Sequence, residues 1–121
     1  MAWRAVLCKC LIFAAMATAG CNGATEQSIL CGLEGECPSE RSAACLEAGL
    51  RGDESVLPLL VDRLEDPAAD VRFFAIAALR RMTAQTLGYH YYDKPEERLA
   101  AVQRWRQWLQ REAVSAKEAG S

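Results

Sequence analysis

The chain has 121 residues, 51% of them hydrophobic and 25% charged, which suits one small globular domain and argues against wholesale disorder. The formal net charge is −2. Because Arg4 and Lys9 lie in a segment that we expect to be removed, the remainder carries 16 acidic against 14 − 2 = 12 basic residues, or −4. A weakly acidic domain is a poor binder of nucleic acid, and one histidine, His90, leaves little material for a histidine-based metal centre or catalytic site.

Residues 1–20 are predicted to be a signal peptide. A basic segment at residues 1–9 precedes an apolar segment at residues 10–17, which is far shorter than the roughly 20 residues of a membrane-spanning helix. Small residues follow at positions 18–20, as a signal peptidase requires. This segment is therefore left out of the predicted fold.

The cysteine that follows this segment predicts a lipid anchor. Thr18-Ala19-Gly20-Cys21 resembles the bacterial lipobox, which implies that Cys21 receives diacylglycerol and becomes the mature N-terminus. Ordinary cleavage after Ala19 is the alternative, but only lipidation explains a cysteine at this position. The interpretation makes residues 21–24 a lipidated tether and the membrane a partner through acyl chains. It predicts export to the cell envelope, at the outer membrane or the periplasmic face rather than in the cytoplasm.

Three further cysteines, Cys31, Cys37 and Cys45, remain after the predicted cleavage, and an oxidising compartment would allow one bridge among them. If residues 38–50 are helical, Cys37 and Cys45 are about 12 Å apart along the helix, beyond the roughly 7 Å that a disulfide tolerates between Cα atoms. Cys31–Cys37 and Cys31–Cys45 stay open, and we favour the latter. The spacing fits no usual zinc pattern, so no metal or other cofactor is expected.

Residues 56–82 predict a pair of helices. Apolar residues recur at helical spacing in the first half, and a second stripe follows a break at Asp66-Pro67, where the residue before proline is driven out of helical geometry. The first stripe contains Leu57, Leu60, Val61 and Leu64, and the second contains Val71, Phe74, Ala75, Ala78, Leu79 and Met82. Further apolar residues give the second helix two apolar faces, which predicts neighbours on both sides.

This stretch resembles the HEAT-like repeat, in the short form also found in phycobilin-lyase repeats, through Leu57-Pro58-x-Leu60, Asp66-Pro67, Val71-Arg72, Ala75 and Ala78-Leu79. The resemblance implies a right-handed stack of antiparallel helix pairs with protein-binding surfaces, and no reaction. It also implies that Arg72 braces the carboxylate of a neighbouring turn, with Asp66 as its natural partner.

A shift of 31 residues lays Arg41 on Arg72, which indicates a degenerate first pair at residues 25–34 and 38–51.

The segment after this pair contains an aromatic run, Gly88-Tyr89-His90-Tyr91-Tyr92. These side chains could form a recognition patch or pack the seam between neighbouring helices, and we favour packing because a long loop in a small domain must pack somewhere. A closing helix is predicted at residues 94–112, with Asp93 and Glu96 as a capping box. The repeat domain then covers residues 25–113, and residues 114–121 form a flexible tail.

The sequence therefore predicts an all-α fold: a short α-solenoid of antiparallel helix pairs, about two HEAT-like repeats, plus a C-terminal closing helix. We expect a non-catalytic protein-interaction module, not an enzyme, that binds an unidentified protein and no nucleic acid. The expected partner contacts are Asp70, Phe73, Arg80, Arg81, Tyr89, Tyr91 and Trp108. One alternative is an exported redox or metal-handling protein that uses Cys31, Cys37 and Cys45. Another is an envelope lipoprotein with a purely structural role.

Overall fold

The computed structural model describes the backbone of residues 21–120 and the side chains of residues 26–120, so the predicted signal peptide at residues 1–20 lies outside the described residues. The described part contains five α-helices and no strand. They are α1 (Cys21–Leu33), α2 (Pro38–Arg51), α3 (Leu57–Arg63), α4 (Ala69–Thr83) and α5 (Pro95–Ala119), with a 3₁₀ turn at Glu54–Val56 before α3. The predicted all-α solenoid is confirmed.

Local sequence explains where these helices begin and end. Pro38 occupies the first turn of α2, where its missing N–H is not needed, and Gly52 ends α2 with a left-handed φ of 68°. Helix α3 stops before Asp66-Pro67, as the sequence predicts. Short connections of this kind fold successive helices back against one another.

The helices form two layers. Helices α1 and α2 make the first pair and α3 and α4 the second, while α2 packs on α4 and α1 on α3. Helix α5 packs against α3 and so extends the layer of α1 and α3. The fully buried core is apolar, and its largest side chains are Trp105, Leu33, Leu60, Leu64 and Leu79.

Helices α2 and α4 lie unusually close together at Gly49. A Cβ atom at Gly49 would lie 2.9 Å from the Cα atom of Ala78, a separation that real Cβ atoms essentially never show. Glycine is therefore required at this position by the neighbouring backbone, and the two helices are fixed in contact.

Two predicted boundaries are wrong. Helix α1 begins at Cys21, so the residues expected to form a tether are helical, and α5 continues to Ala119 instead of ending near residue 112. Five of the seven residues of the extension, three alanines, a lysine and a glutamate, favour helix even where packing does not decide. The expected tail from residue 114 is thus helical through Ala119 and exposed.

The expected capping box at the start of α5 does not form. Lys94 occupies the N-cap position and makes no side-chain capping bond. The carboxylate of Asp93 lies instead 3.1 Å from Nδ1 of His90.

Candidate docking surface

An arginine joins the two helix pairs. Arg41 donates from Nε to Oδ2 of Asp66 at 2.7 Å and from Nη2 to Oδ1 at 3.1 Å. Its Nη1 atom donates to the carbonyls of Gly35 and Glu36 at 2.8 and 2.9 Å. The hydrogen bond to Asp66 raises the pKa of Arg41 above its ordinary value. Because the Asp66 side chain is only 1% exposed, this pair connects the repeats from within.

Arg72 makes the equivalent bonds one repeat later. Its Nη1 atom donates to the carbonyls of Asp66 and Pro67 at 2.7 and 3.0 Å, and its Nε atom donates to the carbonyl of Tyr91 at 3.1 Å. Arg41 and Arg72 therefore occupy the same place in a 31-residue repeat.

The prediction that Arg72 pairs with the carboxylate of Asp66 is wrong, because Arg41 of the preceding pair has taken both oxygens. The 31-residue shift lays Arg41 on Arg72 and Gly35 on Asp66, so it indicates equivalent turn contacts but not the pairing of Arg41 with the Asp66 carboxylate.

The loop between α4 and α5 is attached to the core through Tyr89. This side chain is 2% exposed, and its hydroxyl donates to the carbonyl of Leu64 at 2.6 Å. Burial raises the pKa of Tyr89 to about 12. The indole of Trp105 also donates to the carbonyl of Thr86 at 3.1 Å. Tyr89 therefore serves mainly as a core side chain and offers a partner only the 2% of its surface that is exposed.

The other aromatic side chains of the loop remain near the surface. Tyr91 packs edge-to-face on Phe73 of α4 and on Tyr92, with ring centroids 5.2 Å apart in both contacts. Phe73 is 44% exposed and Tyr92 is 70% exposed. Each of the two interpretations of the aromatic run therefore holds for different residues. Tyr89 packs the seam between neighbouring helices, whereas Tyr91 and Tyr92 form the edge of an aromatic surface.

A groove of about 630 Å³ separates helix α4 from this loop, and we call it the α4 groove. Its walls include Phe73, Ile76, Arg80, Arg81, Tyr91 and Tyr92, with Tyr89 at its floor. Five of the predicted partner contacts line this groove: Phe73, Arg80, Arg81 and Tyr91 in its walls and Tyr89 at its floor. Sequence reasoning missed Ile76, whose helical position beside Phe73 and Arg80 was the available signal.

Two predicted contacts do not line this groove. Asp70 is exposed in the first turn of α4, and Trp108 is half-buried on α5, edge-to-face with Trp105 at 5.6 Å. A smaller groove of about 250 Å³ runs between α4 and the exposed Leu46 and Leu50 of α2.

The α4 groove carries unpaired positive charge. Among the described residues, neither Arg80 nor Arg81 has a hydrogen-bond or ion-pair partner, and no acidic side chain lines the groove. Elsewhere, Arg106 pairs with Glu65 at 2.8 Å, and Arg51 pairs with Glu47 at the same distance. The groove therefore combines aromatic surface with two arginines that retain all their donors.

The cysteines do not form the expected bridge. Cys31, Cys37 and Cys45 are free thiols: the first two are exposed, whereas Cys45 is fully buried in the core. Burial raises the pKa of Cys45 to about 12, which makes its thiol a poor nucleophile at neutral pH. Within residues 26–120 no cluster of three or more histidine, cysteine or acidic side chains could hold a metal ion. The arrangement gives the redox or metal-handling alternative no support.

A comparison with protein families matches residues 27–103 to the family described as HEAT repeats, a span that runs from α1 into α5. No curated protein and no solved structure matches the chain significantly. None of the described helices is long and apolar enough to span a bilayer.

Proposed function

Because the chain belongs to the HEAT-repeat family, we propose that it is a non-catalytic protein-interaction module that docks a protein partner in the α4 groove. Proteins built from HEAT repeats typically bind other proteins. The 31-residue period supports assignment to the short repeat form that resembles phycobilin-lyase repeats, since HEAT repeats are usually about 40 residues long.

The observation that carries this proposal is the composition of the α4 groove. Phe73 and Tyr92 expose aromatic surface, and Arg80 and Arg81 are unpaired among the described residues. Tyrosine and arginine are enriched among the residues that contribute most to protein–protein affinity, because both combine a large contact area with hydrogen bonding. Exposed aromatic surface beside free guanidinium groups therefore favours docking over a purely structural role.

The proposal includes a lipid anchor in the bacterial cell envelope. It rests on the resemblance of residues 18–21 to a lipobox and on the small residues before Cys21. Intact mass of the protein recovered from membranes provides the test, with a Cys21→Ala variant as control. We expect the mass of a chain that begins at Cys21 and carries acyl groups, and no acyl groups on the variant. A product that still begins at Met1 would refute the anchor.

Docking is tested by photo-crosslinking on intact membranes. A photoreactive amino acid replaces Phe73 or Tyr92 at the rim of the groove, and Gln107, exposed on α5 and outside the groove, provides the control position. We expect one discrete adduct from the two groove positions and none from the control. Equal adducts from all three positions, or no adduct from the groove, would favour an envelope protein with a purely structural role.

A further inference from the structure

The wall of the α4 groove corresponds to a helix face that is covered in the first repeat. The 31-residue shift lays Ser42, Cys45 and Gly49 of α2 on Phe73, Ile76 and Arg80 of α4. All three α2 residues are buried, and Gly49 touches the α4 backbone. Their three counterparts line the α4 groove.

The layers of the solenoid explain why this face is open. Helix α5 packs against α3 and so takes the first-helix position of a third pair. The second-helix position would lie beside α4, as α4 lies beside α2. The α4 groove lies along this side, and the loop between α4 and α5 forms its edge.

We propose that an acidic amphipathic helix of a partner protein binds at this position and completes the third pair. This inference rests on the proposed docking function and specifies the occupant of the same groove. The apolar face of the incoming helix packs on Phe73, Ile76 and Ala77, as α4 packs on α2. Its carboxylates bind Arg80 and Arg81, because guanidinium groups form bidentate hydrogen bonds with carboxylates.

Differences between the two repeats favour a helix from a separate protein over a further repeat helix packed as closely as α4 packs on α2. Gly49 lets α4 approach α2 to backbone contact, whereas its counterpart Arg80 has a long charged side chain. An incoming helix must therefore lie farther from α4 and meet charged groups at its edge. An acidic helix matches those charges, and a helix without acidic residues would leave both arginines to be desolvated without partners.

Three synthetic peptides of 18 residues test the occupant. The first is an amphipathic helix with leucine on one face and glutamate on the other, the second has lysine in place of glutamate, and the third is the acidic peptide with a central proline. Binding to the full-length chain in detergent is followed by fluorescence anisotropy. We expect only the first peptide to bind with measurable affinity, and we expect its affinity to fall as salt is raised.

A double variant, Arg80→Gln with Arg81→Gln, provides the second part of the experiment. Arg111→Gln is the matched control, because Arg111 is exposed on α5 and has no partner among the described residues. Circular dichroism confirms that each variant keeps its helical content. We expect the double variant to weaken binding of the acidic peptide about tenfold, and the control to change it by less than about twofold.

Several results would overturn the proposal. Equal binding of the lysine peptide would refute the requirement for acidic residues in the partner. Equal binding of the proline peptide would refute the requirement that the partner segment be helical. Arginine-dependent binding to anionic phosphatidylglycerol vesicles, or arginine-dependent self-association measured by light scattering, in place of peptide binding assigns the groove to a membrane or to a second copy.

Crosslinking separates this inference from the docking function on which it rests. Suppose that Phe73→Ala abolishes the adduct formed by a photoreactive residue at position 92, while the double arginine variant does not. Docking in the groove then stands, and the proposal that the occupant is an acidic helix is wrong. If neither change affects the adduct, docking in this groove is wrong as well.

Discussion

Replacing Tyr89 distinguishes a core side chain from a partner contact. Tyr89→Phe removes the hydroxyl that donates to Leu64 at 2.6 Å and leaves a buried carbonyl without its partner, which costs about 1–3 kcal/mol in the free energy of unfolding. Tyr89→Ala removes the ring as well, and because the side chain is only 2% exposed, we expect a loss of about 3–5 kcal/mol.

The assay is urea unfolding of the purified protein, followed by circular dichroism at a helical wavelength. Tyr92→Ala is the matched control, because Tyr92 is 70% exposed in the same loop and should change the free energy of unfolding by no more than about 0.5 kcal/mol. Equal losses from Tyr89→Ala and Tyr92→Ala would refute the assignment of Tyr89 to the core.

The pH dependence of the same variants gives an independent check. Burial raises the pKa of Tyr89 from 10.0 to about 12, so the unfolded chain releases this proton at lower pH than the folded chain. The contribution of Tyr89 to stability is therefore complete below pH 10.0 and is lost as the pH rises toward about 12. We expect the difference in free energy of unfolding between wild type and Tyr89→Phe to shrink over this range. A constant difference would contradict the buried position of the hydroxyl.

Three further predictions follow from the core and the cysteines. Asp66→Ala should lower the free energy of unfolding by about 3 kcal/mol, whereas Glu47→Gln, in an exposed pair, should lower it by less than about 1 kcal/mol; equal urea midpoints for the two would refute the buried link. Gly49→Leu should force α2 and α4 apart and cost at least about 1–3 kcal/mol by the same assay, and an unchanged midpoint would mean that the helices are not in contact. Peptide-resolved alkylation should label Cys31 in the native protein and Cys45 only after unfolding; native labelling of Cys45 would contradict its burial.

Local pattern determined the helices and their pairing. The apolar stripes of residues 56–82 and the break at Asp66-Pro67 predicted α3, α4 and the turn between them, because helical periodicity and the restriction before proline act over a few residues. The 31-residue shift from Arg41 to Arg72 located the first pair as well. Phe73, Arg80, Arg81 and Tyr91 were found as one surface for the same reason, since helix spacing and chain proximity place them together.

Tertiary structure decided which groups meet across the stack. The sequence placed Asp66 beside Arg72, but the carboxylate binds Arg41 from the preceding pair, because stacking brings residues 25 positions apart into contact. The same stacking buries Tyr89 and leaves Tyr92 exposed, although both belong to one aromatic run. Whether a helix face is covered also depends on a neighbour that no local pattern supplies. The face of α2 is covered by α4, and the equivalent face of α4 forms an open groove because α5 packs against α3 instead.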